Sequence, residues 1–192
     1  ARAVREPEVD FWEGTFLTNN VVEAMRRVGV KNLIYASGSG VYGDTGQIPA
    51  GENYAPLRPI STYGASKLAG EMLICSYAHM FGLSARAYRF ANVVGPRQTH
   101  GVGFDFIRRL KAAPDRLSIL GDGSQSKSYI HVDDVLDAIY HSATYAERPY
   151  DVFNVATGDY ITVTEIAELA VEVAGLRLEE VNFNYTGGDR GW

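Results

Sequence analysis

Tyr63 and Lys67 stand four residues apart in the stretch Ser61-Thr-Tyr-Gly-Ala-Ser-Lys67. On a helix, that spacing places the phenol and the ammonium side by side on one face. The chemistry open to such a pair is general acid–base catalysis. A tyrosine has an ordinary pKa of about 10, too high for a base near neutrality, and a fixed cation lowers it. At a separation of about 5 Å and an effective dielectric of about 20, attraction to the ammonium favours the phenolate by roughly 3 kcal/mol, or about 2 pKa units.

A helix from Ser61 to about Phe81, closed by Gly82, must position this pair. It carries Leu68, Met72, Cys75 and His79 along one side, which predicts a fully packed helix with a structural histidine near its end. Upstream, Phe16, Val21, Val22, Met25 and Val28 fall at helical spacing, with Arg26 and Arg27 in the last turn and Gly29 as the cap. Leu33 to Ser37 is then a short apolar run of the kind that fills a parallel strand covered on both faces. Gly38, Gly40 and Gly43 spell a literal dinucleotide fingerprint, yet the fingerprint requires a helix directly after it. Residues 44–59 contain Gly46, Pro49, Gly51, Pro56 and Pro59, where no helix can start, so the segment reads as a strand end opening into a site loop.

Ala85 to Ala91 alternates as a strand, and Asn92 to Arg97 leaves its carboxyl end. Ligands of open α/β sheets meet the carboxyl ends of strands, so Ser37–Ser39 and Phe90–Asn92 are expected to line one crevice. Phe104 to Ala113 reads as an amphipathic helix with Arg108, Arg109 and Lys111 on its wet side. Leu117–Leu120 and Ser128–Val132 read as two strands around the turn Gly121-Asp-Gly123. Asp133 is expected to cap a helix running through Tyr140 and His141, and Val152–Val155 is a further buried strand. Thr162-Val-Thr-Glu165 spells a capping box, and the helix that follows ends at Gly175.

With 192 residues, 46% hydrophobic and 21% charged, the composition is that of an ordinary globular chain, with one domain as the prior. A net charge of −5 argues against nucleic-acid and anionic-membrane partners. The single cysteine, Cys75, has no partner for an internal disulfide, no apolar run is long enough to span a bilayer, and no ligand cluster for a metal is evident. A cytoplasmic location is expected. Neither end reads as a natural terminus, so the chain is expected to be cut from something longer.

Five stretches, in this order, resemble the extended short-chain dehydrogenase/reductases: Leu33–Gly43, Tyr63–Lys67, Arg89–Arg97, Leu120–Asp134 and Phe153–Gly158. Within them the chain is most similar to the NAD-dependent epimerase/dehydratase enzymes, the UDP-glucose 4-epimerases in particular. The resemblance implies an α/β fold, a partial Rossmann-like doubly wound parallel sheet with a small α+β substrate lobe. Residues 1–97 would be the latter part of the NAD-binding domain and 98–192 mostly the substrate lobe, with 131–157 returning to the sheet. The glycine-rich first half would precede residue 1.

The resemblance also implies roles. Tyr63 would be the catalytic base, and Lys67 would acidify it and bind the nicotinamide ribose. Phe90 would lie beside the nicotinamide. Asn92, Arg97, Lys127 and Arg190 would hold the nucleotide-sugar diphosphate. The family's active-site Ser or Thr falls at Gly38, which leaves Ser39, or after it Ser37, to supply the hydroxyl; Ser37 is also a cofactor-side candidate. The 4,6-dehydratases carry an Asp-Glu pair where this chain has Ser39 and Gly40, which favours epimerisation by transient hydride transfer to NAD at sugar C4. The alternatives are a dehydratase or reductase of the same family and a non-catalytic nucleotide-binding fragment. A homodimer through the two helices at 16–28 and 63–81 is the expected assembly.

Overall fold

The computed structural model describes residues 5–46, 48–143 and 148–188. In chain order, a helical turn at Glu8–Asp10 and a π-helical stretch at Phe11–Phe16 lead into α1 (Leu17–Val28), which is followed by β1 (Asn32–Gly38), α2 (Thr62–Phe81), β2 (Ser84–Phe90) and β3 (Asn92–Val94). Then come α3 (Val102–Ala112), β4 (Arg116–Ile119), β5 (Ser126–Lys127), β6 (Tyr129–His131) and α4 (Val132–Ala143). The chain continues with β7 (Tyr150–Val155), β8 (Ile161–Thr162), α5 (Val163–Val173) and β9 (Asn182–Tyr185). Two compact units emerge, residues 1–91 with 133–155, and residues 92–132 with 156–192.

The first unit is built on a parallel sheet in the order β1-β2-β7. Consecutive side chains of a strand point to opposite faces, and β2 shows that both faces are covered. Arg89 reaches Glu71 of α2, whereas its neighbour Tyr88 accepts a 2.9 Å hydrogen bond from Ser142 of α4. Five consecutive residues of β2, Ala85 to Arg89, are buried. On the α2 side, Val22, Ile74 and Ala85 pack with Leu33, Tyr35, Tyr77 and Tyr150; on the other, Tyr88 stacks on Phe153 with ring centroids 5.6 Å apart.

Two expectations about this unit need correction. Among the described residues β1 has one neighbour, β2, and its exposure alternates, with Ile34 50% exposed, so it is not covered on both faces. The buried face of α2 is Gly64, Ser66, Gly70, Glu71, Ile74 and Ala78, while Met72 and Met80 are exposed. The apolar residues of α2 are spread around its circumference, so which face is buried is decided by close approach. Small residues, Ile74 and one charged residue form the buried face, and Met72, Met80 and Phe81 are exposed.

The helix boundaries follow local chemistry. Ser61 caps α2 by accepting from the Gly64 amide at 3.0 Å, and Gly29 and Gly82 close α1 and α2 in the left-handed region (φ 77° and 68°). The capping box is formed, Thr162 accepting from the Glu165 amide and Glu165 accepting from the Thr162 amide. Asp133 sits inside the first turn of α4, which starts at Val132, and is not placed as the residue before it.

In the second unit, β4 pairs in parallel with β9, β3 in parallel with β6, and β5 antiparallel with β8. The two strands expected to flank Gly121-Asp-Gly123 therefore do not pair with each other. Both glycines adopt positive φ (81° and 82°), and the turn sends β4 and β6 to separate partners. The core here is Phe106, Leu110, Leu117, Ile119, Ala167, Ala170, Val171 and Val181, between α3, α5 and β4.

The Arg89 side chain is 3% exposed and that of Glu71 is fully buried. Removing one partner of such a pair strands the other charge away from water, so Glu71→Ala is expected to lower the unfolding free energy by about 3–5 kcal/mol, measured by urea unfolding. Thr162→Ala, which removes one cap, should cost about 1 kcal/mol in the same experiment.

Candidate active site

The site is assembled around the carboxyl end of β1. Gly38 is followed by a short 3₁₀ turn, Ser39–Val41, and no helix occurs among the described residues from 42 to 61. Gly43 (φ 77°) lies so close to the Arg58 carbonyl that a Cβ would stand 1.9 Å from the oxygen. This third glycine thus serves a close backbone approach, with no helix N-terminus behind it for a pyrophosphate.

The first turn of α2 rests on this loop. A Cβ at Gly64 would stand 2.5 Å from the Gly40 carbonyl oxygen and 3.1 Å from Pro59 Cβ, so only glycine lets the turn dock. Docking Gly64 on Gly40 brings the next residue back in the helix, Tyr63, to the loop that carries Ser39. Tyr63 is 54% exposed and Ser39 is exposed.

Lys67 lies on the same face as Tyr63, with Nζ 5.6 Å from the Tyr63 ring centroid and 5.2 Å from that of Tyr35. One of its N–H groups donates to the Ala36 carbonyl at 2.8 Å. Among the described residues no carboxylate pairs with it, so two donors remain for a diol or a phosphate. Burial pushes the Lys67 ammonium below its ordinary pKa.

The expected acidification of Tyr63 is not found. Burial, and after it the negative charge of Asp10, hold the phenol above its ordinary value of 10.0. Partial removal from water disfavours the charged phenolate, and the Asp10 carboxylate adds like-charge repulsion. Asp10 belongs to the helical turn at Glu8–Asp10 and accepts a 2.6 Å hydrogen bond from Thr62, the residue before Tyr63.

Beneath the pair lies a buried polar network. Arg89 grips Glu71 through Nε (3.0 Å) and Nη2 (2.6 Å), and Ser37 donates to Glu71 at 2.6 Å. Arg89 Nη1 donates to the Tyr42 hydroxyl at 3.0 Å, and Tyr42 donates to Asn154 at 2.6 Å. Burial works against the Arg89 charge, and the hydrogen bonds to Glu71 and Tyr42 outweigh it, keeping the guanidinium above its ordinary value. Ser37, 4% exposed and engaged on Glu71, is thereby part of the scaffold, and Ser39 is the hydroxyl that faces outward. Nothing at 37 or 71 alone signals this network; the one legible sign is the arginine in the middle of an apolar strand.

Phe90 ends β2 opposite Gly38, its ring stacked over Tyr88 at 6.2 Å. The remaining candidates belong to the second unit. Asn92 on β3 binds the Ser128 carbonyl through both its backbone amide and its side chain (3.1 Å each), which places it beside Lys127 on β5. Lys127 is exposed, and Arg97 is exposed with a positive φ of 65° in the turn after β3. Arg190 lies outside the described residues. A cleft of about 760 Å³ on this unit, lined by Tyr160, Glu165, Glu168, Leu169 and Glu172, holds none of these candidates, and its carboxylates would repel a diphosphate. Among the described residues no group of three or more His, Cys, Asp or Glu could hold a metal ion, and no helix is long and apolar enough to cross a membrane.

A parallel α/β sheet whose candidate site opens at the carboxyl end of a strand belongs to the class of folds that bind ligands at that edge. The sequence pattern described as "NAD dependent epimerase/dehydratase family" matches residues 1–156, and the chain belongs to that family. UDP-glucose 4-epimerase of Mycolicibacterium smegmatis is 35% identical over 91% of this chain and 55% of its own length. A crystal structure of a UDP-galactose 4-epimerase superposes with a TM-score of 0.85 at 40% identity, over 95% of this chain and 60% of the other. The structure of MoeE5 in complex with UDP-glucose and NAD superposes with a TM-score of 0.79 at 34% identity, over 91% and 57% of the two chains. The chain thus spans little more than half the length of these relatives.

The charge of Asp10 gives a direct test of what sets the Tyr63 phenol. Asp10→Asn removes a negative charge that disfavours phenolate, so the Tyr63 pKa should fall and phenolate should appear at lower pH. A pH titration of the Tyr63 Cζ resonance checks this, and an unchanged midpoint would exclude Asp10 as a cause.

Proposed function

We propose that the full-length protein is an NAD-dependent nucleotide-sugar 4-epimerase of the UDP-glucose/UDP-galactose type. The observation that carries this is the Tyr63–Lys67 pair, on one face of α2 and open beside the exposed Ser39, in a chain of the NAD dependent epimerase/dehydratase family. The relatives named above, with UDP-glucose, UDP-galactose and NAD in their descriptions, support the substrate and the cofactor.

Tyr63 exchanges the proton of the sugar 4-hydroxyl through its phenol oxygen. Lys67, held on the Ala36 carbonyl, offers its two remaining N–H groups to the nicotinamide ribose. Ser39 supplies the hydroxyl that Gly38 lacks and orients the reacting oxygen. Phe90 packs beside the nicotinamide, and Asn92, Arg97, Lys127 and Arg190 hold the diphosphate. Lys127 is a point charge with no bidentate fork, so its grip fixes the diphosphate less rigidly than an arginine would. NAD, when bound, supplies the hydride acceptor and, through its cationic ring, the positive charge that favours the Tyr63 phenolate. A firm hold on the nucleotide with a loosely held sugar lets both faces of C4 be presented. The protein works in the cytoplasm as a homodimer that pairs α1 and α2, whose Leu17, Val21, Met72 and Met80 are exposed here.

The test is conversion of UDP-galactose to UDP-glucose by the purified full-length protein, with NAD retained through purification. Tyr63→Phe should lower kcat by about 10²–10⁴-fold and leave UDP binding by calorimetry nearly unchanged. NAD retained without turnover would favour the non-catalytic reading. Ser39→Ala should lose activity by a larger factor than Ser37→Ala at equal thermal stability; full activity in both variants removes the hydroxyl role from each.

A further inference from the structure

We infer that Tyr35 is a positioning residue for Lys67, its ring serving as one wall of a two-ring clamp that keeps the ammonium at the site. This rests on the reading of Tyr63 and Lys67 as the reacting pair.

Tyr35 is on β1, next to Ala36, whose carbonyl accepts from Lys67 Nζ at 2.8 Å. The same ammonium lies 5.2 Å from the Tyr35 ring centroid and 5.6 Å from that of Tyr63. A cation within about 6 Å of an aromatic face is attracted by the ring quadrupole, more strongly where water is reduced. Burial disfavours the Lys67 charge; the Ala36 carbonyl and the two ring faces oppose that penalty without placing an anion next to the phenol. A carboxylate in the position of Tyr35 would hold the lysine equally well, but its charge would also suppress the phenolate. An aromatic ring holds the cation and adds no net charge.

Tyr35 is itself fixed from two sides. Its hydroxyl is hydrogen-bonded by the Thr18 side chain of α1. Its outer end rests on α2 at Gly70, where an added Cβ would stand 2.3 Å from the Tyr35 hydroxyl oxygen. Gly70 therefore leaves the space in which the ring lies flat beside Lys67, one turn before it. In this way α1, β1 and α2 together decide where the ammonium sits.

The experiment compares Tyr35→Phe, which keeps the ring, with Tyr35→Leu, which removes it at similar volume, in the full-length protein. Two quantities are read. The first is the chemical shift of the Lys67 ε-methylene in protein labelled with ¹³C-lysine, assigned through Lys67→Arg, because two ring currents act on it in the wild type. The second is kcat against KM for UDP-galactose. Tyr35→Leu is expected to move the ε-methylene resonance downfield and to lower kcat about tenfold with KM unchanged, while Tyr35→Phe stays within about twofold of the wild type. An unmoved Lys67 resonance in Tyr35→Leu overturns the proposal, as does an unchanged kcat or an equal loss in both variants. Should Tyr35→Leu not fold, Gly70→Ala, which displaces the ring through its hydroxyl end, is subject to the same readings. The resonance reports on Lys67 without turnover, so in a wild-type protein that lacks epimerase activity the shift alone decides.

Discussion

The arrangement at the end of β1 depends on one buried ion pair, Arg89 with Glu71. Arg89, buried in the central strand of a three-stranded sheet, has its charge balanced by a bidentate carboxylate, and that carboxylate comes from α2. The pair therefore fixes the rotation and height of α2 on the sheet. Tyr63 and Lys67 precede Glu71 by eight and four residues on the same helix, so their direction is set by the same bond. The remaining valences of the pair reach Ser37 at the end of β1 and Tyr42 in the loop beyond. One electrostatic requirement thus aligns a helix, a strand end and a loop.

The Tyr63–Lys67 pair is geometrically ready and electrostatically incomplete. The two side chains share a face, yet the phenol stands above its ordinary pKa and the lysine below its own, both pushed toward neutrality by burial. Lys67 is held by the Ala36 carbonyl, with the rings of Tyr35 and Tyr63 on either side of it.

Close backbone approach shapes the loop after β1 at Gly43 and Gly64, whereas a Cβ at Gly38 would meet only the Phe90 carbonyl oxygen, at 3.9 Å. The loop after β1 passes between the start of α2 and the chain at Arg58, with glycines at 40, 43 and 64 where backbones nearly touch. Ser39, exposed on the 3₁₀ turn, is the side chain that this passage leaves pointing outward, whereas Ser37 is committed to Glu71. Two serines that look interchangeable in the sequence are separated because Ser37 still belongs to β1 and bonds Glu71, whereas Ser39 lies beyond the strand in the 3₁₀ turn.

The sequence by itself determined the elements and their chemistry: the helix end at Gly82 and the capping box at Thr162, the strands around 33–37 and 85–91, the lack of a helix among the described residues from 44 to 59, and the four-residue spacing of Tyr63 and Lys67. These are local, set by hydrogen bonds within a few residues and by the period of the helix. Tertiary structure alone decided which face of α2 is buried, which strands of the second unit pair, which serine stays exposed, and that Lys67 leans on Ala36 and Tyr35. Each of these is settled by atoms distant in the chain, where burial and the position of one charge outweigh the preference of any single residue.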